Sequence, residues 1–258
     1  MKIFKKILVV FLSIFFMGCY EVNEEIVINA DGSGTYVTKM DLTQMIEMMQ
    51  SFGGDEMKQE GLDRIIDTVI SMKSFTDSAK DMSEEEKQLL SRGKLRMQMN
   101  IKEKIFKVDT DFPFKSYKEL QMLLSGSGGM MALSNSMKKV FGKGDQPDNA
   151  QPDTPKDPDL GQISDVFEVT VTDGSISKKF NKAKYDAMMS KPEMEQMKQV
   201  GSAGIEILTT TVIKLPRPVK SSDNPSIKLS DDKKTATFKY NFLEIFDNPE
   251  KFSYNITF

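Results

Sequence analysis

The sulfur-bearing side chains are the residues of this chain with the most distinctive chemical potential. The 258 residues include 19 methionines and a single cysteine, and they contain no histidine. Without histidine the chain lacks the commonest general base, the usual nitrogen ligand of zinc and copper, and every Ser-His or Cys-His nucleophile arrangement. We find no carboxylate pair whose spacing indicates acid–base catalysis, and we expect Glu24 and Glu25 to lie on solvated faces. The sequence therefore predicts a protein that is not an enzyme and needs no cofactor.

The single cysteine, Cys19, follows a segment typical of a bacterial lipoprotein signal. Three lysines in "MKIFKK" precede the apolar run "ILVVFLSIFFM". Its 11 residues are too few for a membrane-spanning helix, which needs roughly 20. Gly18 stands directly before Cys19, as in a lipobox. We predict that residues 1–18 are a signal peptide, that cleavage occurs between Gly18 and Cys19, and that the Cys19 thiol carries a lipid anchor.

The predicted anchor assigns the protein to the cell envelope. Tyr20, rather than aspartate, follows the cysteine, which favours the outer membrane over the inner membrane of a bacterium. Whether the body faces the periplasm or the cell surface stays open. Because one cysteine cannot form an internal disulfide, the thiol is best explained as an attachment point.

Five methionines form a candidate apolar site. Met45, Met48 and Met49 lie at i, i+3 and i+4 of a predicted helix, and Met188 and Met189 lie in a later helix. Three interpretations stay open: packing of the helices against a sheet, an adaptable surface for lipids or proteins, and Cu(I) binding by thioethers. Core packing is the ordinary role of methionine at this spacing.

Composition limits the class of partner. The mature chain would contain 240 residues, enough for one domain or two small ones. Loss of the three signal lysines changes the formal charge from −3 to −6, so no basic surplus remains to neutralise phosphates. Nucleic acid is therefore excluded as an expected partner, and the membrane, reached through Cys19, is the predicted one.

The pattern of polar and apolar residues predicts an α+β fold, with a curved antiparallel sheet of short hairpins packed against amphipathic helices. Two Asp-Gly pairs, in "ADGSG" and "VTDGSI", predict hairpin turns. Helices are predicted from Asp41, over residues 62–75, from Ser83, from Ser116 and around residues 185–189. Strands are predicted for "KLRMQMNI", "IFKVDTDF", "GIEILTTTVIKL", "TATFKYNF" and "FSYNITF".

A segment rich in proline and aspartate divides the chain. Residues 142–161 carry too little apolar surface to offset the entropy of ordering, so they predict a flexible linker or loop. Residues 19–141 and 162–258 are then the N-terminal and C-terminal halves of the α+β domain.

Two segments resemble known lipoproteins. "CYEVNEEIVINADGSGTYVTKMDL" resembles the start of uncharacterised lipoproteins of the Bacteroidetes type, in which an Asp-Gly-Ser-Gly hairpin follows the lipidated cysteine. "TTTVIKLPRPVKSSDNPSIKLSDDKKTATFKYNFLEIF" resembles their closing region, and both segments are also similar to LppM-type lipoproteins of mycobacteria. The resemblance implies an α+β body with a curved antiparallel sheet and contact with envelope lipid. It brings no catalytic residues.

These observations predict a membrane-anchored envelope lipoprotein that acts as a binding or structural component. Two alternatives stay open: a carrier or sensor of an apolar ligand such as a lipid, and a methionine-based Cu(I) binder.

Overall fold

The secondary structure is a mixture of many short strands and a few short helices. A computed structural model describes residues 19–44, 65–77, 82–125, 161–192, 194, 198 and 206–258. The strands are β1 Cys19–Ile28, β2 Gly34–Asp41, β3 Ile66–Ser71, β4 Lys94–Asn100, β5 Ile105–Phe114, β6 Phe167–Thr172, β7 Ser175–Phe180, β8 Glu206–Lys214, β9 Ser221–Ser222, β10 Lys228–Leu229, β11 Thr235–Asn241 and β12 Tyr254–Thr257. The α-helices are α1 Lys73–Thr76, α2 Glu84–Leu90, α3 Tyr117–Leu124, α4 Gly161–Asp165 and α5 Lys182–Met189, and two 3-10 helices cover Phe242–Phe246 and Pro249–Phe252.

The strands form two sheets, which confirms the α+β class. The larger sheet has eight strands in the order β10-β11-β8-β1-β2-β5-β4-β3, and the smaller has four in the order β6-β7-β12-β9. All pairs are antiparallel except β1 and β8, which run parallel from Cys19 opposite Glu206 to Val27 opposite Lys214. The expected antiparallel pairing is therefore confirmed for the other described pairs. The β1–β8 pair departs from it, because a strand of the C-terminal half inserts beside the first strand of the N-terminal half.

Local signals predicted most of the described elements correctly. The side chain of Ser83 accepts a hydrogen bond from the Glu86 backbone, and Glu86 accepts one in return from the Ser83 N–H, so the predicted capping box of α2 is present. Ser116 caps α3 by accepting from the Glu119 N–H. Both Asp-Gly hairpins form, as β1–β2 and β6–β7.

The helix predicted over residues 62–75 is wrong for residues 66–71, although residues 73–75 do lie in α1. Residues 66–71 form β3, which pairs with β4. Ile66, Thr68 and Ile70 are half-buried and alternate with exposed residues, a period of two rather than 3.6. The β-branched side chains of this segment fit a half-buried strand, and pairing with β4 selects that conformation.

Some predicted features lie outside the described residues. These are the signal peptide, the helix body after Gln44, and residues 142–160 of the predicted linker. Gly161, the last residue of that predicted linker, is the first residue of α4.

Two apolar clusters hold the elements together. The larger cluster joins the inner faces of the two sheets, with Ile26 and Ile213 from one and Ile176 and Ile256 from the other. The second packs α4, α5 and the two 3-10 helices around buried residues that include Ile163, Phe167, Met188, Met194, Leu243 and Phe252. Each large apolar side chain taken from water stabilises the fold by roughly 1.5–3 kcal/mol, so these clusters are the main source of stability.

The first hairpin turn is fitted closely to α3. Gly32 has a φ of +80°, which L side chains rarely adopt, and a Cβ added there would lie 2.7 Å from the Tyr117 ring. The Tyr117 hydroxyl donates to Asp173 at the tip of the second hairpin over 3.0 Å, and Arg217 donates to the same carboxylate over 2.7 Å. Tyr117 therefore ties the turn of the larger sheet to the turn of the smaller one. Gly174, in the second turn, lies outside the left-handed region, and a Cβ there would meet only the Phe258 carbonyl at 3.6 Å.

We predict that Gly32→Ala lowers the free energy of unfolding by about 1–2 kcal/mol, because alanine pays the steric cost of the left-handed conformation and collides with Tyr117. The matched control Gly174→Ala should stay within about 0.5 kcal/mol of the unsubstituted chain. Urea unfolding of the three proteins measures the difference. Equal destabilisation by the two substitutions would contradict this account of the first turn.

Candidate functional site

A row of polar side chains crosses the buried face of the larger sheet. Thr211, Glu24, Thr38 and Thr110 lie side by side on β8, β1, β2 and β5, since Glu24 is opposite both Thr211 and Thr38, and Thr38 is opposite Thr110. The three threonines are buried, at 5–7% exposure, and Glu24 is half-buried. We call these four residues the polar row. Buried polar groups require partners, so their presence in the centre of an apolar face needs a specific explanation.

Glu24 is the charged centre of the polar row. One carboxylate oxygen accepts a hydrogen bond from the Tyr36 hydroxyl over 2.9 Å. The other accepts from the Thr211 hydroxyl over 2.7 Å. Hydrogen bonds to an ionised acceptor are short and strong, so this pair of hydroxyls fixes the orientation of the carboxylate.

Three tyrosine hydroxyls lie in the electrostatic field of Glu24. Burial raises the pKa of Tyr36 well above its usual value, and the negative charge of Glu24 raises it further. The same two causes, in the same order, raise the pKa values of Tyr240 and Tyr254. These phenols therefore stay protonated at neutral pH, and the Tyr36 hydroxyl is a hydrogen-bond donor to Glu24.

A lysine faces the polar row from the smaller sheet. Lys178 on β7 shares the inward face with Ile176 and is paired with Tyr254 on β12. Burial lowers the pKa of Lys178, and the negative charge of Glu24 partly opposes that effect. The ammonium nitrogen lies 4.4 Å from the centre of the Phe167 ring, a cation–π contact.

Glu24 and Lys178 do not form a direct ion pair. Among the described residues, no carboxylate lies within 4.0 Å of the Lys178 ammonium, and no acceptor lies within hydrogen-bond distance of it. The two sheets thus present a carboxylate and an ammonium to the same interior region without joining them. This arrangement can orient a polar group by charge and hydrogen bonding, and within the described ranges no cluster of three or more His, Cys, Asp or Glu residues could hold a metal ion.

The predicted site residues have different outcomes. Cys19 is the first residue of β1, and Gly18 lies outside the described residues, as do Met45, Met48 and Met49. Met188 is 3% exposed and belongs to the second apolar cluster, with Met189 packed against that cluster. For Met188 the structure therefore shows core packing, and the structure does not bring it together with a described surface site.

A groove of about 580 Å³ lies beside α5 but does not contain its methionines. It is lined by Phe180, Lys182, Tyr185, Asp186, Asp247, Asn248, Pro249, Glu250 and Lys251. Lys182 and Asp186 are ion-paired over 2.7 Å along the helix, and the Tyr185 hydroxyl donates to the Phe246 carbonyl over 2.8 Å. The charged lining differs from the apolar site predicted from the methionines.

Sequence reasoning missed Glu24. We expected Glu24 and Glu25 on solvated faces, and only Glu25 faces outward, where it pairs with Lys214 over 2.9 Å. The alternation of β1 held the signal, because Val22, Glu24, Ile26 and Ile28 share one face of a strand. A glutamate two residues before a buried isoleucine of the same strand has its carboxylate on the inner face of the sheet.

Comparisons with protein-family models, curated proteins and solved structures found no match for this chain. The roles proposed below therefore rest on the residues and contacts of the chain itself.

We predict that Glu24→Gln lowers the free energy of unfolding by about 1–3 kcal/mol, because the amide offers one acceptor oxygen where the carboxylate offers two to its hydroxyl donors. Glu25→Gln, the neighbouring residue with an exposed ion pair, should cost no more than about 1 kcal/mol. Urea unfolding at neutral pH measures both variants. A larger loss at position 25 than at position 24 would contradict the central role of Glu24.

Proposed function

We propose that the protein is a non-enzymatic lipoprotein of the bacterial envelope, anchored through an acylated Cys19 and carrying an α+β binding body. The observation that supports this most directly is the position of Cys19. It follows a lysine-rich start, an apolar run and Gly18, and it is the first residue of β1, a central strand of the larger sheet. A signal segment of this kind ends where a folded body begins.

The energetics of acylation fit a permanent anchor. Each buried CH₂ contributes about 0.8 kcal/mol, so two or three acyl chains hold a protein in a bilayer where one chain gives only reversible binding. No helix within the described ranges is long and apolar enough to cross a membrane. The proposed attachment is through lipid at Cys19, and Tyr20 after the cysteine favours the outer membrane.

We predict that Cys19→Ser abolishes incorporation of an alkyne-labelled fatty acid and blocks cleavage before residue 19, because serine has no thiol to acylate. The unsubstituted protein should carry the label and enter the detergent phase of a phase-partition assay. Intact mass spectrometry measures the added acyl mass on the N-terminal peptide.

The control is the double variant Ser13→Cys with Cys19→Ser, which keeps one thiol but moves it away from Gly18. It should remain unlabelled, because the modification requires the Gly-Cys pair. Label on the double variant, or cleavage of Cys19→Ser at the same bond, would show that the lipobox interpretation is wrong.

A second candidate function is a carrier of an amphiphile, and the Glu24–Lys178 arrangement favours it. Opposite charges on the inner faces of two sheets, unjoined by a direct ion pair, complement a zwitterionic head group: its phosphate would meet Lys178 and its ammonium would meet Glu24. Acyl chains would reach the isoleucines between the sheets only if the sheets separate, because these side chains are packed against one another in the larger apolar cluster.

The carrier proposal predicts saturable binding of a phosphatidylethanolamine with a fluorescent acyl chain. Lys178→Met should weaken that binding by at least about tenfold, because a hydrogen bond to a charged group contributes about 1.5–3 kcal/mol. The neighbouring Lys179 is exposed, so Lys179→Met is the matched control and should bind like the unsubstituted protein. Equal affinity of the two variants, or no saturable binding at all, would rule out this function for the polar row.

A further inference from the structure

The register of the larger sheet determines which part of the body lies nearest the proposed anchor. Cys19 is opposite Glu206, the first residue of β8. Glu21 is opposite both Leu208 on β8 and Asp41, the last residue of β2. We call this end of the larger sheet, residues 19–21 with residues 206–208, the anchor edge. Because Cys19 is itself the first residue of β1, the anchor edge must lie close to the lipid that Cys19 is proposed to carry.

An exposed leucine lies on the anchor edge, and a matched one lies far from it. Leu208 on β8 is 40% exposed, and Leu229 on β10 is 39% exposed. Both belong to the larger sheet, two strands apart in its order. The two side chains have the same size and nearly the same exposure, but they differ in their distance from the anchor and in the face of the sheet they occupy. Leu208 is in register with the outward Glu21, whereas Leu229 is in register with the buried Ala236.

The rise per residue gives those distances along the strands. Leu208 lies two residues beyond the partner of Cys19, about 7 Å along the strand. Leu229 is opposite Ala236, which is opposite Ile213, the partner of Ile26, so it lies seven residues or about 23 Å along. The polar layer of a bilayer is about 5–7 Å thick on each side of the hydrocarbon. The distance from Cys19 to Leu208 is thus comparable to the thickness of this layer, whereas Leu229 lies more than three times as far from Cys19 along the strands.

We propose that the anchor edge is a membrane-contact surface, in which Leu208 enters the interface of the bilayer that holds the Cys19 lipid. This proposal rests on the proposed lipid anchor. Exposed apolar side chains beside a lipid anchor add contact area at the interface and restrict the tilt of the body. The acidic neighbours Glu21 and Glu206 argue for contact by apolar area rather than by attraction to anionic lipid.

Single-tryptophan variants test the proposal, because the chain contains no tryptophan of its own. Leu208→Trp and Leu229→Trp are prepared as the lipidated protein and inserted into vesicles of phosphatidylethanolamine and phosphatidylglycerol, with and without bromine on the upper acyl chain. We expect bromine to reduce the emission of Leu208→Trp by at least about twofold and to leave Leu229→Trp unchanged, because only an interfacial side chain lies close to the brominated carbons. If Leu208→Trp does not fold, Glu21→Trp on the exposed neighbouring position serves as the reporter of the same edge.

Equal quenching of the two positions, quenching of Leu229→Trp alone, or no quenching at either position would overturn the proposal. The mass of the N-terminal peptide is measured on the same preparations, so failure of the anchor is seen separately. If Cys19 is not acylated, the proposed function fails, and a maleimide phospholipid coupled to the single thiol provides the tether for the same quenching measurement. This measurement then shows whether Leu208 contacts the bilayer interface, even when Cys19 carries no natural lipid.

Discussion

The parallel pairing of β1 with β8 is the constraint on which the rest of the structure depends. Nine residue pairs join these strands, from Cys19 opposite Glu206 to Val27 opposite Lys214. This ladder unites the two halves of the chain in one sheet and aligns Glu24 with Thr211, 187 residues away. The polar row, the larger apolar cluster and the anchor edge all cross it. A shift of one residue in this register would move Glu24 from the inner face to the outer face.

The sequence predicted features that depend on neighbouring residues better than features that depend on distant ones. Capping by Ser83 and Ser116 and the two Asp-Gly hairpins were predictable, because each involves groups only a few residues apart. Residues 66–71 satisfied both a helical and a strand pattern, and only β4 decides between them. The parallel β1–β8 pair has no local signal, since nothing within either strand specifies a partner almost 190 residues away.

In the candidate site, too, features set by neighbouring residues were predictable and features set by distant residues were not. The strand alternation of β1 places Glu24 in phase with Ile26 and Ile28, and this was available from the sequence. Its hydrogen-bond partners were not available, because Tyr36 comes from the next strand and Thr211 from the far half of the chain. Lys178, whose pKa is affected by the charge of Glu24, comes from a different sheet. Met188 is a further example. Its residue type left core packing, an adaptable surface and Cu(I) binding open, and only the tertiary structure buries it with Ile163, Phe167 and Met194 in the second apolar cluster.

The order of β1 and β8 along the chain also has a consequence for biosynthesis. β1 is synthesised first, but its parallel partner exists only when residues 206–214 have followed. Until then β1 can pair with β2 alone, and the backbone of Cys19 has no neighbour at Glu206. Non-local pairings of this kind form late in folding. The nascent chain therefore passes through a period in which the start of β1 has no parallel partner, and folding itself ends that period.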